Sequence, residues 1–109
     1  MTEATFFRCG GRMAGFEAQG HADSAEEGED IVCAGISALT QAALIGIREY
    51  LGIDCAWEIA DGYLYCMLPS DIGEKEWREA EIILETMALG LGSLAETYGT
   101  FLKLIEREV

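Results

Sequence analysis

The sequence predicts an α+β fold: a mostly antiparallel sheet of two hairpins plus a C-terminal strand, with two main helices packed on it. Two hairpin signals, Gly10-Gly11 and Asp61-Gly62, each stand between segments rich in strand-forming residues. Two longer segments, 31–51 and 70–98, carry apolar residues at helical spacing. Hairpins and a last strand that are separated by helices are typical of an antiparallel sheet covered by helices.

The first hairpin has a predicted register that follows from a two-residue turn at Gly10-Gly11. This turn would place Phe7 opposite Ala14 and Thr5 opposite Phe16. Because side chains alternate along a strand, one face of the sheet would then carry Phe7, Ala14, Phe16 and Ala18.

The first helix is predicted over residues 31–51, with Asp30 as its N-cap and Gly52 as its stop. Its apolar stripe is Val32, Ile36, Leu39, Ala43, Ile47 and Tyr50. The other faces are also apolar or small, which is typical of a helix that is central or shared with a partner subunit, so we expect a homodimer. The apolar run 31–47 is shorter than the ~20 residues of a membrane span, so we expect no membrane association.

The second hairpin is predicted around Asp61-Gly62, with the pairs Ile59–Leu64, Trp57–Cys66 and Cys55–Leu68 on one face. The second helix is predicted to open at 70–74, where Asp71 and Glu74 have capping-box spacing. Its core stripe is Trp77, Ala80, Leu84, Met87, Leu91, Leu94 and Tyr98. Gly90 and Gly92 would allow another helix to approach closely, and a last strand is predicted over 100–108.

Composition and charge limit the function classes. The formal net charge of −13 argues against direct binding to nucleic acid and is compatible with a basic protein partner. The four cysteines show no CxxC spacing, so we expect no structural zinc site. We also expect no cofactor. No basic and apolar leader opens the chain, so we expect a cytoplasmic location with reduced thiols.

Candidate chemistry lies at His21, the only histidine, and Cys33, twelve residues later. Counted from Asp30 as the cap, Cys33 falls in the first turn of a helix, where free N–H groups and the helix dipole favour a thiolate. An imidazole beside it could move the proton. The alternative is that Cys33 is a buried small apolar residue, which is our interpretation of the other three cysteines, Cys9, Cys55 and Cys66. The polar segment 22–29 between them is either a solvated loop or a lid over a substrate.

The residues around this pair resemble the signature of the ribosomal-processing cysteine proteases, the Prp family of bacteria. The segments that carry the resemblance are Gly20-His21-Ala22, Gly28-Glu29-Asp30-Ile31-Val32-Cys33-Ala34 and Ser37-Ala38-Leu39. It extends over nearly the whole chain through Gly11-Arg12, Gly15-Phe16-Glu17, Leu51-Gly52, Asp61-Gly62-Tyr63-Leu64, Leu84-Glu85-Thr86, Gly92-Ser93 and Ala95-Glu96. Only Tyr98-Gly99 departs from it, where the family has Tyr-Pro.

The resemblance implies a single Prp-like cysteine protease domain over residues 1–109. It implies an endopeptidase that removes the N-terminal extension of large-subunit ribosomal protein number twenty-seven, cleaving beside aromatic residues. The family is dimeric and free of metal, and its His–Cys loop is regarded as mobile. Cys33 would be the nucleophile and His21 the general base, later the acid for the leaving amine.

Three further positions match the motif. Asp30 caps the helix or orients His21, because its charge beside the thiol would oppose thiolate formation. Ser37 forms a hydrogen bond either within the site or to the helix backbone four residues earlier. Gly20 supplies backbone freedom before His21. The amide of Cys33 is a candidate oxyanion donor.

Two other hypotheses remain at this point. The domain could be a non-catalytic ribosome-assembly or peptide-binding protein in which Cys33 is inert. A redox sensor is a third hypothesis, which lacks a resolving cysteine near Cys33 in the sequence.

Overall fold

The computed structural model describes residues 1–20 and 29–109, with side chains from residue 31 onward in the second range. These residues form five strands, two α-helices and one π-helical turn. In chain order the elements are β1 (Thr2–Cys9), β2 (Arg12–Gln19), α1 (Glu29–Ile45), the π-helical turn (Gly46–Tyr50), β3 (Ala56–Ala60), β4 (Tyr63–Met67), α2 (Glu74–Tyr98) and β5 (Leu102–Glu108). The predicted α+β fold is confirmed.

The described strands form one sheet in the order β3-β4-β2-β1-β5. Neighbouring strands pair antiparallel except β1 and β5, which are parallel because α2 carries the chain across the sheet to β5. The core lies between one face of this sheet and the two helices. Its largest fully buried side chains include Phe16 and Met13 from the sheet and Leu44, Leu84 and Leu91 from the helices.

The second hairpin has the predicted register. Ile59 pairs with Leu64 and Trp57 pairs with Cys66, as the two-residue Asp61-Gly62 turn requires. Both β3 side chains stay about half exposed because β3 is an edge strand, whereas their partners on β4 are buried. This hairpin therefore presents an apolar edge at one side of the sheet.

The first hairpin does not have the predicted register. Phe6 pairs with Phe16 and Phe7 pairs with Gly15, because a β-bulge interrupts the pairing beside Phe7. The predicted pairs that this overturns are Phe7 with Ala14 and Thr5 with Phe16. Phe6, and not Phe7, therefore shares the core face with Phe16.

Gly15, which pairs with Phe7 beside the bulge, lies close to the neighbouring strand β4. A Cβ atom at this position would overlap the carbonyl oxygen of Cys66 on β4, so only glycine fits there. Phe7 lies on the face of the sheet that is turned away from the helices. There it meets Tyr65 in an edge-to-face contact, with ring centroids 6.2 Å apart.

Helix α1 begins at Glu29, two residues before the predicted start. Asp30 therefore lies within the helix, and the prediction that it is the N-cap is wrong. Cys33 is the fifth helical residue and lies in the second turn, not in the first. Acidic residues are favoured throughout the first helical turn, so an acidic cluster in the sequence does not fix which residue precedes the helix.

The end of the first helix is close to the predicted one. A π-helical turn continues α1 to Tyr50, and Gly52 follows with a φ of 67°. Because a π turn holds more residues than an α turn, it changes which side chains face the core. Ile47 remains fully buried, as predicted. Tyr50 is 88% exposed, so its predicted place in the apolar stripe is wrong.

The helical segment Ile31–Tyr50 is 20 residues long and apolar enough to cross a membrane, so the sequence-based argument from length is wrong. About a third of this segment is buried inside the protein. In the structure its buried side contributes Val32, Ile36, Ala43 and Ile47 to the core.

Helix α2 carries the predicted core stripe, of which Ala80, Leu84, Met87 and Leu91 are buried. Gly90 faces α1, where a Cβ atom would lie 3.2 Å from the Leu39 methyl groups. The close approach predicted from the glycines is therefore confirmed at Gly90. It is wrong at Gly92, which has no atom within 4 Å of such a Cβ.

The predicted capping box of α2 does not form. The helix begins at Glu74 with Gly73 as its N-cap and no side-chain cap, so Asp71 lies outside that position. The Glu74 carboxylate instead accepts a hydrogen bond of 2.8 Å from Arg12 on β2. This guanidinium lowers the pKa of Glu74 below its usual value.

The three cysteines interpreted as buried fall into two groups. Cys55 and Cys66 are buried, as predicted. Cys9 is exposed, contrary to that prediction, because it ends β1 at the hairpin turn.

Candidate active site

A cavity of about 220 Å³ lies at one end of the sheet, between α1 and the β3–β4 hairpin. Its walls come from the start of β1, the end of β2, the first half of α1 and the tip of the hairpin. They consist of Thr2, Ala18, Gly20, Cys33, Ile36, Ser37, Thr40, Gln41 and residues 59–64.

One wall is a face of α1. Cys33, Ser37 and Gln41 are spaced four residues apart, so they lie in a row along the helix. Cys33 is half-buried, and the other two are exposed. Thr40 also lines the cavity. Its hydroxyl donates a hydrogen bond of 2.8 Å to the Ile36 carbonyl oxygen, so this proton is not available to a ligand.

The opposite wall is the tip of the β3–β4 hairpin. Leu64 is buried in its floor, whereas Ile59 is 51% exposed to the cavity and the solvent. The Tyr63 hydroxyl donates a hydrogen bond of 2.7 Å to the Glu17 carboxylate. This bond, together with burial, raises the pKa of Tyr63 to about 12.

The third wall contains Gly20, the residue that precedes His21, and both of its backbone groups are bound. Its N–H donates a hydrogen bond of 2.8 Å to the Gly62 carbonyl oxygen at the hairpin tip. Its carbonyl oxygen accepts a bond of 3.3 Å from the Thr2 hydroxyl. With a φ of 100°, and with the Met1 carbonyl oxygen 2.6 Å from where a Cβ would stand, only glycine suits this position.

The structure brings together three of the residues singled out in the sequence: Cys33, Ser37 and Gly20 all line the cavity. His21, the side chain of Asp30 and residues 22–28 of the predicted loop or lid at 22–29 lie outside the described residues. Glu29, the last residue of that predicted loop, belongs to α1 instead. Within the described part of the chain, the Ser37 hydroxyl makes no hydrogen bond, so the alternative of a bond to the helix backbone is not observed.

The amide of Cys33 is not placed as the oxyanion prediction requires. In a helix that begins at Glu29, the first four N–H groups lack a helical partner. Cys33 is the fifth residue, so its N–H faces the Glu29 carbonyl within the helix. The prediction that this amide is an oxyanion donor is therefore wrong.

Sequence reasoning missed the hairpin wall and Gln41. The signals were present, because Asp61-Gly62 is the strongest turn signal and Gln41 follows Cys33 by two helical intervals of four residues. What was missing was the packing of the hairpin against α1. Among the side chains of residues 1–20 and 31–109, no group of three or more metal-ligating residues clusters.

Comparison with known proteins identifies the family of this chain. The family described as "Cysteine protease Prp" matches residues 1–103. Because this match covers nearly the whole chain, the chain is a cysteine protease, a hydrolase. It belongs to the Prp family.

Relatives of known identity share both sequence and fold with this chain. It is 30% identical over 101 residues to the ribosomal processing cysteine protease Prp of Bacillus subtilis (strain 168), and the match covers 90% of each chain. The essential ribosomal processing protease Prp of S. aureus, crystallised with a substrate peptide, is 25% identical and has a TM-score of 0.84, with 98% of this chain and 100% of that chain covered. The same S. aureus protein with a covalently linked product peptide is 26% identical, with a TM-score of 0.81 and the same coverage.

Proposed function

We propose that this protease is an endopeptidase that removes the N-terminal extension of large-subunit ribosomal protein number twenty-seven, with Cys33 as nucleophile and His21 as general base. One observation carries the residue assignment. Of the four cysteines, Cys33 alone lines the cavity, whereas Cys9 is exposed elsewhere and Cys55 and Cys66 are buried.

The proposed reaction has two steps. His21 takes the proton of the Cys33 thiol, the sulfur attacks the scissile carbonyl carbon, and His21 then protonates the leaving amine. Water next attacks the resulting thioester, which releases the acid product and restores the thiol. The S. aureus Prp with a covalently linked product peptide supports a covalent route in this family.

The supporting residues act on this pair. Gly20 fixes the start of the segment that carries His21, because Gly62 and Thr2 bind its backbone groups. Asp30 orients His21 in this proposal, which fits its place as the second residue of α1 rather than the residue before it. The hydroxyl of Ser37, one turn after Cys33, forms a hydrogen bond within the site when the substrate is bound.

The charge of the chain supports a basic substrate. A net charge of −13 would attract a ribosomal protein segment rich in lysine and arginine and raise its encounter rate. We accordingly expect kcat/KM to fall as salt concentration rises from 50 to 500 mM, roughly in step with a shrinking Debye length.

We also propose that the protein is a cytoplasmic homodimer that binds neither nucleic acid nor a membrane directly.

The proposal is tested by cleavage of a synthetic peptide that spans the junction of this extension. Cys33→Ala and His21→Ala should each abolish cleavage, by about 10⁴-fold or more. Far-ultraviolet circular dichroism should remain that of the wild type. Cys9→Ala, an exposed cysteine outside the cavity, is the matched control and should cleave normally.

Two outcomes would overturn the proposal. Cleavage retained by Cys33→Ala would remove the nucleophile. Binding of the peptide by the wild type without cleavage under any condition would instead support the non-catalytic, peptide-binding alternative.

A further inference from the structure

The polar groups of the cavity walls differ in whether they are already bonded. The hydroxyl of Thr40 is bonded to the Ile36 carbonyl oxygen, and that of Tyr63 is bonded to Glu17. The hydroxyl of Thr2 is bonded to Gly20. Within residues 1–20 and 31–109, the side chains of Ser37 and Gln41 line the cavity and form no hydrogen bond.

Gln41 stands at a defined distance from the cysteine. It follows Cys33 by eight residues on the same helical face, which corresponds to ~12 Å at a rise of 1.5 Å per residue. An extended peptide advances ~3.3 Å per residue, so this distance spans roughly three to four peptide residues. A peptide with its scissile bond at Cys33 would therefore pass the Gln41 amide three or four residues away.

The chemistry of the two walls at that distance suits a peptide backbone. A glutamine amide both donates and accepts, so it can bind a main-chain carbonyl and N–H of one extended segment. Across the cavity, the half-exposed Ile59 offers an apolar surface to a side chain of that segment. Main-chain groups that enter the cavity lose water, and leaving them without a partner would cost binding free energy.

We propose that Gln41 is a substrate-binding residue: its amide binds the main chain of the substrate three to four residues from the scissile bond. Ile59 packs on a side chain of the same segment. This inference rests on the proposed function only through the position of the scissile bond at Cys33. Gln41 does not touch the reacting atoms, so it acts on KM and leaves kcat nearly unchanged.

The test combines one substitution with a series of peptides. Gln41→Leu keeps the size of the side chain and removes both polar groups. With the peptide that spans the junction of the ribosomal protein extension, Gln41→Leu should raise KM by about 10-fold, the effect of one or two lost hydrogen bonds, with little change in kcat.

Peptides shortened one residue at a time from each end then locate the contact. The difference between wild type and Gln41→Leu should vanish when residues three to four from the scissile bond are absent on one side. Gln19→Leu is the matched control, because Gln19 is an exposed glutamine of β2 that does not line the cavity. It should cleave every peptide as the wild type does.

Three results would overturn the inference: an unchanged KM for the full peptide, a loss equal for all peptide lengths, or an equal loss in Gln19→Leu. The same peptides are also titrated by fluorescence anisotropy against Cys33→Ala, with and without Gln41→Leu. If length-dependent binding depends on Gln41 while the wild type cleaves nothing, the inference stands and the proposed function fails. If Cys33→Ala binds no peptide, the inference is overturned.

Discussion

Cys33 and Cys66 are the same side chain in two environments. Cys33 is half-buried on a cavity wall and can meet a substrate, whereas Cys66 is fully buried beneath the helices beside Cys55. Burial raises the pKa of the Cys66 thiol, and the neighbouring Cys55 raises it further. Under the proposed function, position relative to the cavity, and not residue type, separates a reactive cysteine from a packing one.

The largest expected effect is the loss of catalysis when Cys33 is replaced, with little loss of stability. Cys33→Ser should lower kcat by at least about 10³-fold, because a serine hydroxyl is a much weaker nucleophile without further activation. Its free energy of unfolding, measured by urea denaturation, should change by less than about 0.5 kcal/mol, since the side chain is only half-buried. A large loss of stability with normal activity would reverse our interpretation of Cys33.

The next effect concerns the backbone beside the cavity. Gly20→Ala should lower the free energy of unfolding by about 1–3 kcal/mol, because alanine is strained at a φ of 100° and its Cβ meets the Met1 carbonyl oxygen. The activity should fall as well, since Gly20 precedes His21. Gly92→Ala is the control: it has open space in α2 and should be neutral or more stable by urea denaturation. Equal behaviour of the two variants would contradict this assignment.

The core cysteine should show the opposite pattern. Cys66→Ser should leave kcat/KM of the folded protein unchanged, because Cys66 lies outside the cavity walls. Its free energy of unfolding should fall by about 1–3 kcal/mol, the cost of burying a hydroxyl that lacks a good partner. Urea denaturation and a peptide cleavage assay measure the two quantities. A loss of activity larger than the loss of folded protein would contradict the prediction that Cys66 affects stability alone.

The two hairpins show where sequence reasoning succeeds and where it fails. The β3–β4 register could be predicted because Asp61-Gly62 fixes a two-residue turn and apolar residues alternate cleanly on both sides. The β1–β2 register could not, because adjacent Phe6 and Phe7 fit either face and because Gly15, beside the bulge, lies against β4, a segment far away in the sequence. Such a contact between separate segments leaves no periodic signal.

The same distinction applies to the site. Cys33 and Ser37 could be singled out from the sequence because a local motif carries them, and both line the cavity. Ile59 and Gln41 could not, because only the packing of the hairpin against α1 gives them a shared space. The acidic residues before α1 predicted a helix start but not its exact residue, which placed Cys33 one turn too early.

The smallest expected effect is a titration at the hairpin wall. The bond to Glu17 raises the pKa of Tyr63 to about 12, above the ordinary value of ~10 that applies to the unfolded chain. The stabilisation is therefore fully present below about pH 10 and is lost as pH rises towards 12. The absorbance at 295 nm of the wild type minus that of Tyr63→Phe should give a midpoint near 12. Glu17→Gln should shift this midpoint down, and a wild-type midpoint at the ordinary value would contradict the assignment.

The most direct test of the central claim is the rate at which each cysteine of the folded protein reacts with iodoacetamide at neutral pH, followed by peptide mapping in a mass spectrometer. If His21 activates Cys33, then Cys33 should react faster than the more exposed Cys9, while Cys66 stays protected. His21→Ala should lower the Cys33 rate to that of Cys9. A Cys33 rate no faster than that of Cys9, or one that His21→Ala leaves unchanged, would contradict the account.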